Sequence, residues 1–114
     1  MKEFLFVFRA DWGSMPAASP EEAQARTKSW MDWIGSIAAQ NRLVDKGNRL
    51  EGTGKVVRPK GSVTDGPYVE IKESIGGYSL VKAATYDEAV KLAQGCPVLL
   101  GGVGSVEVRE LGQM

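Results

Sequence analysis

The residues best suited to chemistry gather in the stretch from Ser62 to Glu73, SVTDGPYVEIKE. Asp65, Glu70, Lys72 and Glu73 crowd around a break at Asp65-Gly66-Pro67. Asp-Gly is a turn or bulge signal, and a proline cannot donate to a strand ladder, so the backbone bends here. Such bends re-aim side chains, often toward a site. Asp65, at the bend and partly shielded by aromatic residues, is the candidate catalytic residue, a general acid or base. Glu70 and Lys72 share one strand face and are candidate ligand contacts, whereas Glu73 points the other way by strict alternation. Arg9, at the end of the first strand-like run, is a candidate clamp for an anionic ligand, which a guanidinium grips with paired N–H donors. Tyr78 offers a hydroxyl to a phenolic ligand, and Trp30 and Trp33 offer an aromatic wall.

Each of these residues also has a plainer reading. Asp65 can cap its own turn, Arg9 can hold a structural ion pair, and Trp30 and Trp33 can fill core or interface. Lys72 with Glu70 or Glu73 can form a surface pair of little energetic consequence. The chain has no histidine. That absence removes serine or cysteine triads of the usual kind and every histidine-based metal site. Acid–base work is left to carboxylates, lysine, tyrosine or water. The single cysteine, Cys96, follows a helix end in QGCP, where the negative end of the helix dipole disfavours a thiolate. A packed thiol is expected there, with no internal disulfide, which fits a reducing compartment.

The elements that must position these residues follow from periodicity and punctuation. With 114 residues and ordinary hydrophobic and charged fractions, one domain spanning 1–114 is expected. Fourteen basic residues balance fourteen acidic ones, so no basic excess drives binding to nucleic acid. MKEFLFVFRA is too short for a membrane span and too charged for a signal peptide, so the expectation is a cytoplasmic protein that does not engage membranes. It reads as a strand with Phe4, Phe6 and Phe8 on one side and Leu5, Val7 and Arg9 on the other, apolar enough on both to need cover. Ser19-Pro20-Glu21-Glu22 is a capping box that opens a helix running from Pro20 to about Gln40. Within it, Trp30, Ile34, Ile37, Ala38 and Asn41 fall at helical spacing.

Leu43 and Val44 begin a second extended region, loosened by Gly47, Gly52 and Gly54. Residues 55–58, the Pro59-Lys60-Gly61 turn and residues 62–64 predict a hairpin. Residues 75–83 predict a strand whose Gly76-Gly77 marks a bulge or a close backbone approach. Neither GxxxxGK[ST] nor a strand-to-helix GxGxxG is present, so no nucleotide cofactor is expected, and no other cofactor or metal is implied. A second capping box at Thr85 opens a helix to Gln94, stopped by Gly95 and Pro97, and residues 104–111 predict a last strand. The order is an α+β, ferredoxin-like βαββαβ plan with an elaborated central hairpin. Both helices then lie on one sheet face. The other face is still apolar, which predicts a homodimer packed through its sheet faces.

DGPYVEIKE at 65–73 resembles the DGPFAETKE signature of the YCII-related, or DGPF-domain, family. The tryptophan-bearing helix at 28–50, GGYSLVKAATYDEAVKLAQGCP at 76–97 and GSVEVREL at 104–111 are also similar to that family. Tyr68 stands where the signature has Phe, and Val69 and Ile71 stand where it has Ala and Thr. The resemblance implies a dimeric α/β barrel built from ferredoxin-like protomers, in a family of mostly uncharacterised bacterial proteins. Its wider superfamily includes a dehydrochlorinase acting on a chlorinated hydroquinone, and members with a proposed His–Asp site. Asp65 is the aspartate that matches the motif, and without a histidine the pair itself is not carried over.

Three functions compete. The first is a small-molecule site between sheet and helices, taking a small organic or anionic ligand, either purely binding or with carboxylate-based lyase or dehydrochlorinase-like activity. The second is a non-enzymatic stress or regulatory accessory that binds a protein partner, linked to sigma-factor control as some members of the family are. The third is cofactor-free oxygenase chemistry, which rests on fold analogy alone.

Overall fold

The computed structural model describes residues 1–11, 18–66, 74–100 and 102–114. Glu70, Lys72 and Glu73, with the rest of the 67–73 segment, lie outside the described residues. The elements run β1 (Lys2–Ala10), α1 (Pro20–Ala39), β2 (Leu43–Arg49), β3 (Gly54–Val57), β4 (Val63–Gly66), β5 (Ser74–Ala83), α2 (Tyr86–Ala93) and β6 (Gly104–Glu110). β2, β5, β1 and β6 form one antiparallel sheet in that spatial order, and β3 and β4 form a separate two-stranded hairpin. Without the hairpin this is the ferredoxin-like βαββαβ order expected from the sequence.

Local chemistry explains the boundaries. Ser19 caps α1, its hydroxyl accepting from the Glu22 amide, with Pro20 at the first helical position. The helix stops at Ala39, short of Asn41, which lies at helical spacing but takes the left-handed conformation (φ 59°). Its amide donates to the Ala38 carbonyl and the Arg42 amide to the Ile37 carbonyl, the paired bonds of a Schellman stop. Thr85 caps α2 in the same way as Ser19 caps α1.

Register decides which face each strand residue serves. Phe4, Phe6 and Phe8 stand opposite Val81, Ser79 and Gly77 on β5. They form the core with Trp33 and Ile37 of α1 and Ala89 and Ala93 of α2. Both helices therefore cover one face. The other face carries Leu5, Val7 and Arg9 with Tyr78 and Leu80 of β5 and Glu107 and Arg109 of β6.

Three register shifts shape the sheet, one between β1 and β5 and two between β2 and β5, of which the first on β2 falls between Leu43 and Asp45. The register of β1 against β5 slips between Phe8 and Arg9, leaving Gly76 as the extra residue, and a Cβ on Gly77 would lie 2.8 Å from the Asn48 carbonyl oxygen. The Gly76-Gly77 pair thus serves both readings the sequence offered, a bulge and a close approach. On β2 a second bulge lies opposite Ser79. The Asp45 carboxylate accepts from the Gly47 amide at 2.8 Å, and the buried Ser79 hydroxyl donates to the Lys46 carbonyl at 2.6 Å.

The hairpin stands apart from the sheet. Its tip is closed by the Arg58 amide donating to the Ser62 carbonyl at 2.7 Å, and Lys60 takes a positive φ of 70° inside the Pro59–Gly61 turn. The predicted break at Asp65-Gly66 falls differently, because both residues remain in β4, paired with Lys55 and Gly54. The chain measures 45 × 43 × 20 Å, with a radius of gyration of 15.6 Å against about 13 Å for a compact chain of this length.

Candidate functional site

The predicted site residues fall in three places. Trp30 and Trp33 lie on the helix side of the sheet. Their rings meet edge to face at 5.8 Å, and Phe8 packs edge to face against both, at 4.8 Å from Trp30 and 5.8 Å from Trp33. The α1 face that carries these tryptophans is pinned by the Trp33 indole, which donates to the Leu92 carbonyl at the end of α2. Such edge-to-face pairs contribute about 0.5–1.5 kcal/mol beyond their area burial. Trp33 is a core residue, and Trp30 is half-buried beside it.

Arg9 and Tyr78 lie on the opposite face, where Leu5, Arg9, Tyr78 and Leu80 are half-buried and Val7 is buried. Tyr78 pairs with Val7 on β1, and Val7 pairs with Glu107 on β6, so the three form one cross-strand row with Arg9 the next outward-facing position along β1. Arg9 Nε donates to Glu107 Oε1 at 3.0 Å, and Arg109 Nη1 donates to Glu107 Oε2 at 3.2 Å. The Glu107 carboxyl is held below its ordinary range, first by the bond from Arg9 and then by that from Arg109. Two guanidinium groups thus share one carboxylate at this corner of the sheet. Leu5, Val7, Tyr78 and Leu80 supply an apolar centre beside it. The sequence reading missed Glu107 and Arg109. Their alternation with Val106 and Val108 was the available signal, since it puts a charged pair on the same face as Arg9.

Asp65 is in neither place. It sits on the hairpin with its side chain 87% exposed and ion-paired to Lys55. The structure therefore does not bring Asp65, Arg9, Tyr78 and the tryptophans into one cavity, and the described part of the hairpin provides no aromatic shield for Asp65.

Cys96 is buried, and burial pushes its thiol up to about 12, consistent with a packed residue and not a nucleophile. Among the described residues no group of three or more His, Cys, Asp or Glu is placed to hold a metal, and no helix is long and apolar enough to cross a membrane.

The profile of the YCII-related domain matches residues 12–112 of the chain. Comparison with the curated proteins gives no match.

Proposed function

Since the chain belongs to the YCII-related domain family, we propose that it works as a cytoplasmic homodimer packed through the sheet face opposite its helices and holds a small organic anion beside Arg9. The observation that carries this reading is the composition of that face. Leu5, Val7, Tyr78 and Leu80 form an apolar centre that the chain's own helices do not cover, and Arg9 and Arg109 flank it around Glu107. An apolar centre with a polar rim is the usual anatomy of a specific interface. A guanidinium already oriented by a carboxylate recognises planar anions at little ordering cost. Tyr78, on the same row as Val7, adds an aromatic wall and a hydroxyl. Carboxylate acid–base chemistry at Asp65 belongs to this reading as a step that requires the hairpin to be covered, and Glu70 and Lys72 are its further candidate ligand contacts.

The test combines light scattering with thermal shift. The wild type should have the mass of a dimer, and Leu5→Arg should give a folded monomer. A panel of aromatic and aliphatic carboxylates and phenolates should yield a ligand that raises Tm. At about a hundred times its Kd that ligand adds roughly 2.7 kcal/mol, and Arg9→Ala should abolish the shift. A monomeric wild type sinks the dimer, and a broad panel without a hit sinks the anion site.

A second reading, docking of a protein partner, draws on Leu99, Leu100 and Val103, which are exposed around the turn before β6. Stoichiometric retention of one partner, lost in Leu100→Asp, would favour it.

A further inference from the structure

β6 is an edge strand of the four-stranded sheet, and its register against β1 runs from Gly104 to Glu110 without a slip. Backbone hydrogen bonds along an antiparallel strand point alternately to its two sides. The Leu111 amide donates to the Glu3 carbonyl at 2.9 Å, so Ser105, Glu107, Arg109 and Leu111 direct their backbone groups to β1. Gly104, Val106, Val108 and Glu110 direct theirs outward. At Glu110 the outward amide is taken, donating to the Tyr86 hydroxyl at 2.9 Å. Among the described residues no strand lies beyond β6, and nothing bonds to the outward amides of Val106 and Val108.

The two edges of the sheet are built differently. Proteins blunt exposed edges with bulges, charges and prolines, because a regular edge is a template for another strand. The β2 edge is blunted: its register slips twice, Gly47 takes a positive φ of 75°, and Asp45 and Lys46 precede it. The β6 edge has neither bulge nor proline. Tyr86, whose hydroxyl reaches Glu110, sets its side of α2 toward this edge, and Val90 lies one turn on along the same side. They are 47% and 40% exposed. A regular edge with an apolar strip of helix beside it fits one more strand.

We propose that β6 pairs antiparallel with β6 of a second copy, about a two-fold axis at Val106 that continues the sheet across both chains. Charge and capping choose this register. A two-fold at Glu107 would set two Glu107 carboxylates directly opposite each other, which is destabilising. A two-fold at Val108 would need the Glu110 amide that Tyr86 already holds. A two-fold at Ser105 would leave Val108 beyond the end of the partner strand. At Val106 the hydrogen-bonded pairs are Val106 with the partner's Val106 and Gly104 with the partner's Val108, all clear of the Tyr86 cap. Ser105 then stands opposite the partner's Glu107, a hydroxyl donor facing a carboxylate. The ladder goes beyond the sheet-face dimer and does not require it, since it uses the edge and leaves that face uncovered. It is a small interface, so it forms as concentration rises and joins two sheet-face dimers into a tetramer.

Val106→Cys tests the ladder. At a hydrogen-bonded pair on the axis the two Cα atoms are about 5.5 Å apart, within the span of roughly 4.4–6.8 Å that a disulfide bridges. Concentrated protein under mild oxidation should form a disulfide-linked pair, and Cys96, being buried, does not compete. Val108→Cys should not link, because its two copies lie about 14 Å apart along the ladder. Sedimentation at rising concentration reads the same contact without added thiols. Ser105→Glu, at an exposed position, places a carboxylate opposite the partner's Glu107 and should raise the concentration for tetramer formation about tenfold, whereas Ser105→Lys should not. The Val106→Cys link should persist in Leu5→Arg, which breaks only the sheet-face contact. A link lost with Leu5→Arg, or equal linking by Val106→Cys and Val108→Cys, overturns the ladder. So does a wild type held at the sheet-face dimer at every concentration, which leaves the edge to an extended segment of a different protein. A Val106→Cys link in a protein without a sheet-face dimer supports the ladder and overturns the other contact alone.

Discussion

The indole Nε1 of Trp33 donates to the carbonyl oxygen of Leu92 at 2.9 Å, tying the middle of α1 to the end of α2 across the core. The Leu92 carbonyl also accepts from the Gly95 amide at 3.3 Å, so the indole joins a carbonyl already engaged at the helix end, and the need that the bond fills is that of the indole N–H. Trp33→Phe should keep the ring packing against Phe6 and Phe8 and lose about 1 kcal/mol, whereas Trp33→Ala should lose about 3–5 kcal/mol. Chemical denaturation, read as a shift in midpoint at constant slope, checks both values. Equal losses in the two variants would mean that the hydrogen bond, not the packing, holds the helices together.

Glu107 gives the fold an acid-sensitive point. Its carboxyl is held below the ordinary glutamate value by Arg9 first and Arg109 second. A carboxylate with a depressed folded-state value stabilises fully above its unfolded value, about 4.3, and that contribution fades as pH falls through the folded value. Glu88 acts in the same direction, chiefly because the Ala84 amide donates to it at 2.8 Å. Stability should therefore drop below about pH 4.3, and Glu107→Gln should flatten part of that limb. Raising the salt concentration should flatten it further, because Glu88 is exposed and Glu107 is partly so. Thermal unfolding across pH 2.5–6 at two ionic strengths is the measurement.

Two glycines should respond in opposite directions to alanine. At Gly47, φ is 75° and a Cβ would lie 1.7 Å from the Tyr78 carbonyl oxygen, so Gly47→Ala must break the β2 bulge and should cost about 3 kcal/mol or more. At Gly35, inside α1, a Cβ meets nothing within 4 Å, so Gly35→Ala should gain roughly 0.5–1 kcal/mol from helix propensity. Denaturation midpoints of the two variants, measured side by side, test the contrast.

Lys60 occupies a positive φ of 70° at the tip of the hairpin, a conformation that costs a residue with a Cβ about 1–2 kcal/mol. Lys60→Gly should relieve that strain locally. The effect should appear as slower amide exchange at Arg58 and Gly61, whose N–H groups close the turn. The global midpoint should barely move, because the hairpin adds little to the core.

Cys96 reports unfolding. With its thiol 2% exposed and pushed up to about 12, iodoacetamide at pH 8 should leave the native protein unmodified and label it fully in denaturant. The labelling rate in Trp33→Ala should rise in proportion to its population of open molecules.

Much of this architecture was legible in the residues because local rules agreed with the global ones. Ser19-Pro20 and Thr85 announce their helices, Pro59-Lys60-Gly61 announces the hairpin, and the Phe4-Phe6-Phe8 alternation names the core face. Alternation also places Arg9 with the second face of β1. The sequence hid which distant strand completes that face. Nothing local to Arg9 says that Glu107, 98 positions away, supplies its partner, because register between β1 and β6 is fixed by packing. The same limit explains Asp65. Its motif is compact along the chain, but whether it points inward depends on where the hairpin stands relative to the sheet. The end expected for α1, at about Gln40, agrees with the structure, where the left-handed Asn41 makes the Schellman stop just beyond it.

The sheet order also sets an order of assembly. β1 pairs with β5 and β6, whose residues lie between 74 and 110, and, among the described residues, with no strand nearer in sequence. During synthesis the three phenylalanines of the first strand leave the ribosome long before either neighbour exists. Closing those long loops is the slow step in forming such a sheet, and the waiting strand offers two bare edges meanwhile. By contrast, α1 and the β3–β4 hairpin close on local contacts alone. β1 is thus made before its neighbours but is among the last strands to be paired, and a chain halted before residue 74 would present Phe4, Phe6 and Phe8 to chaperones or to other nascent chains.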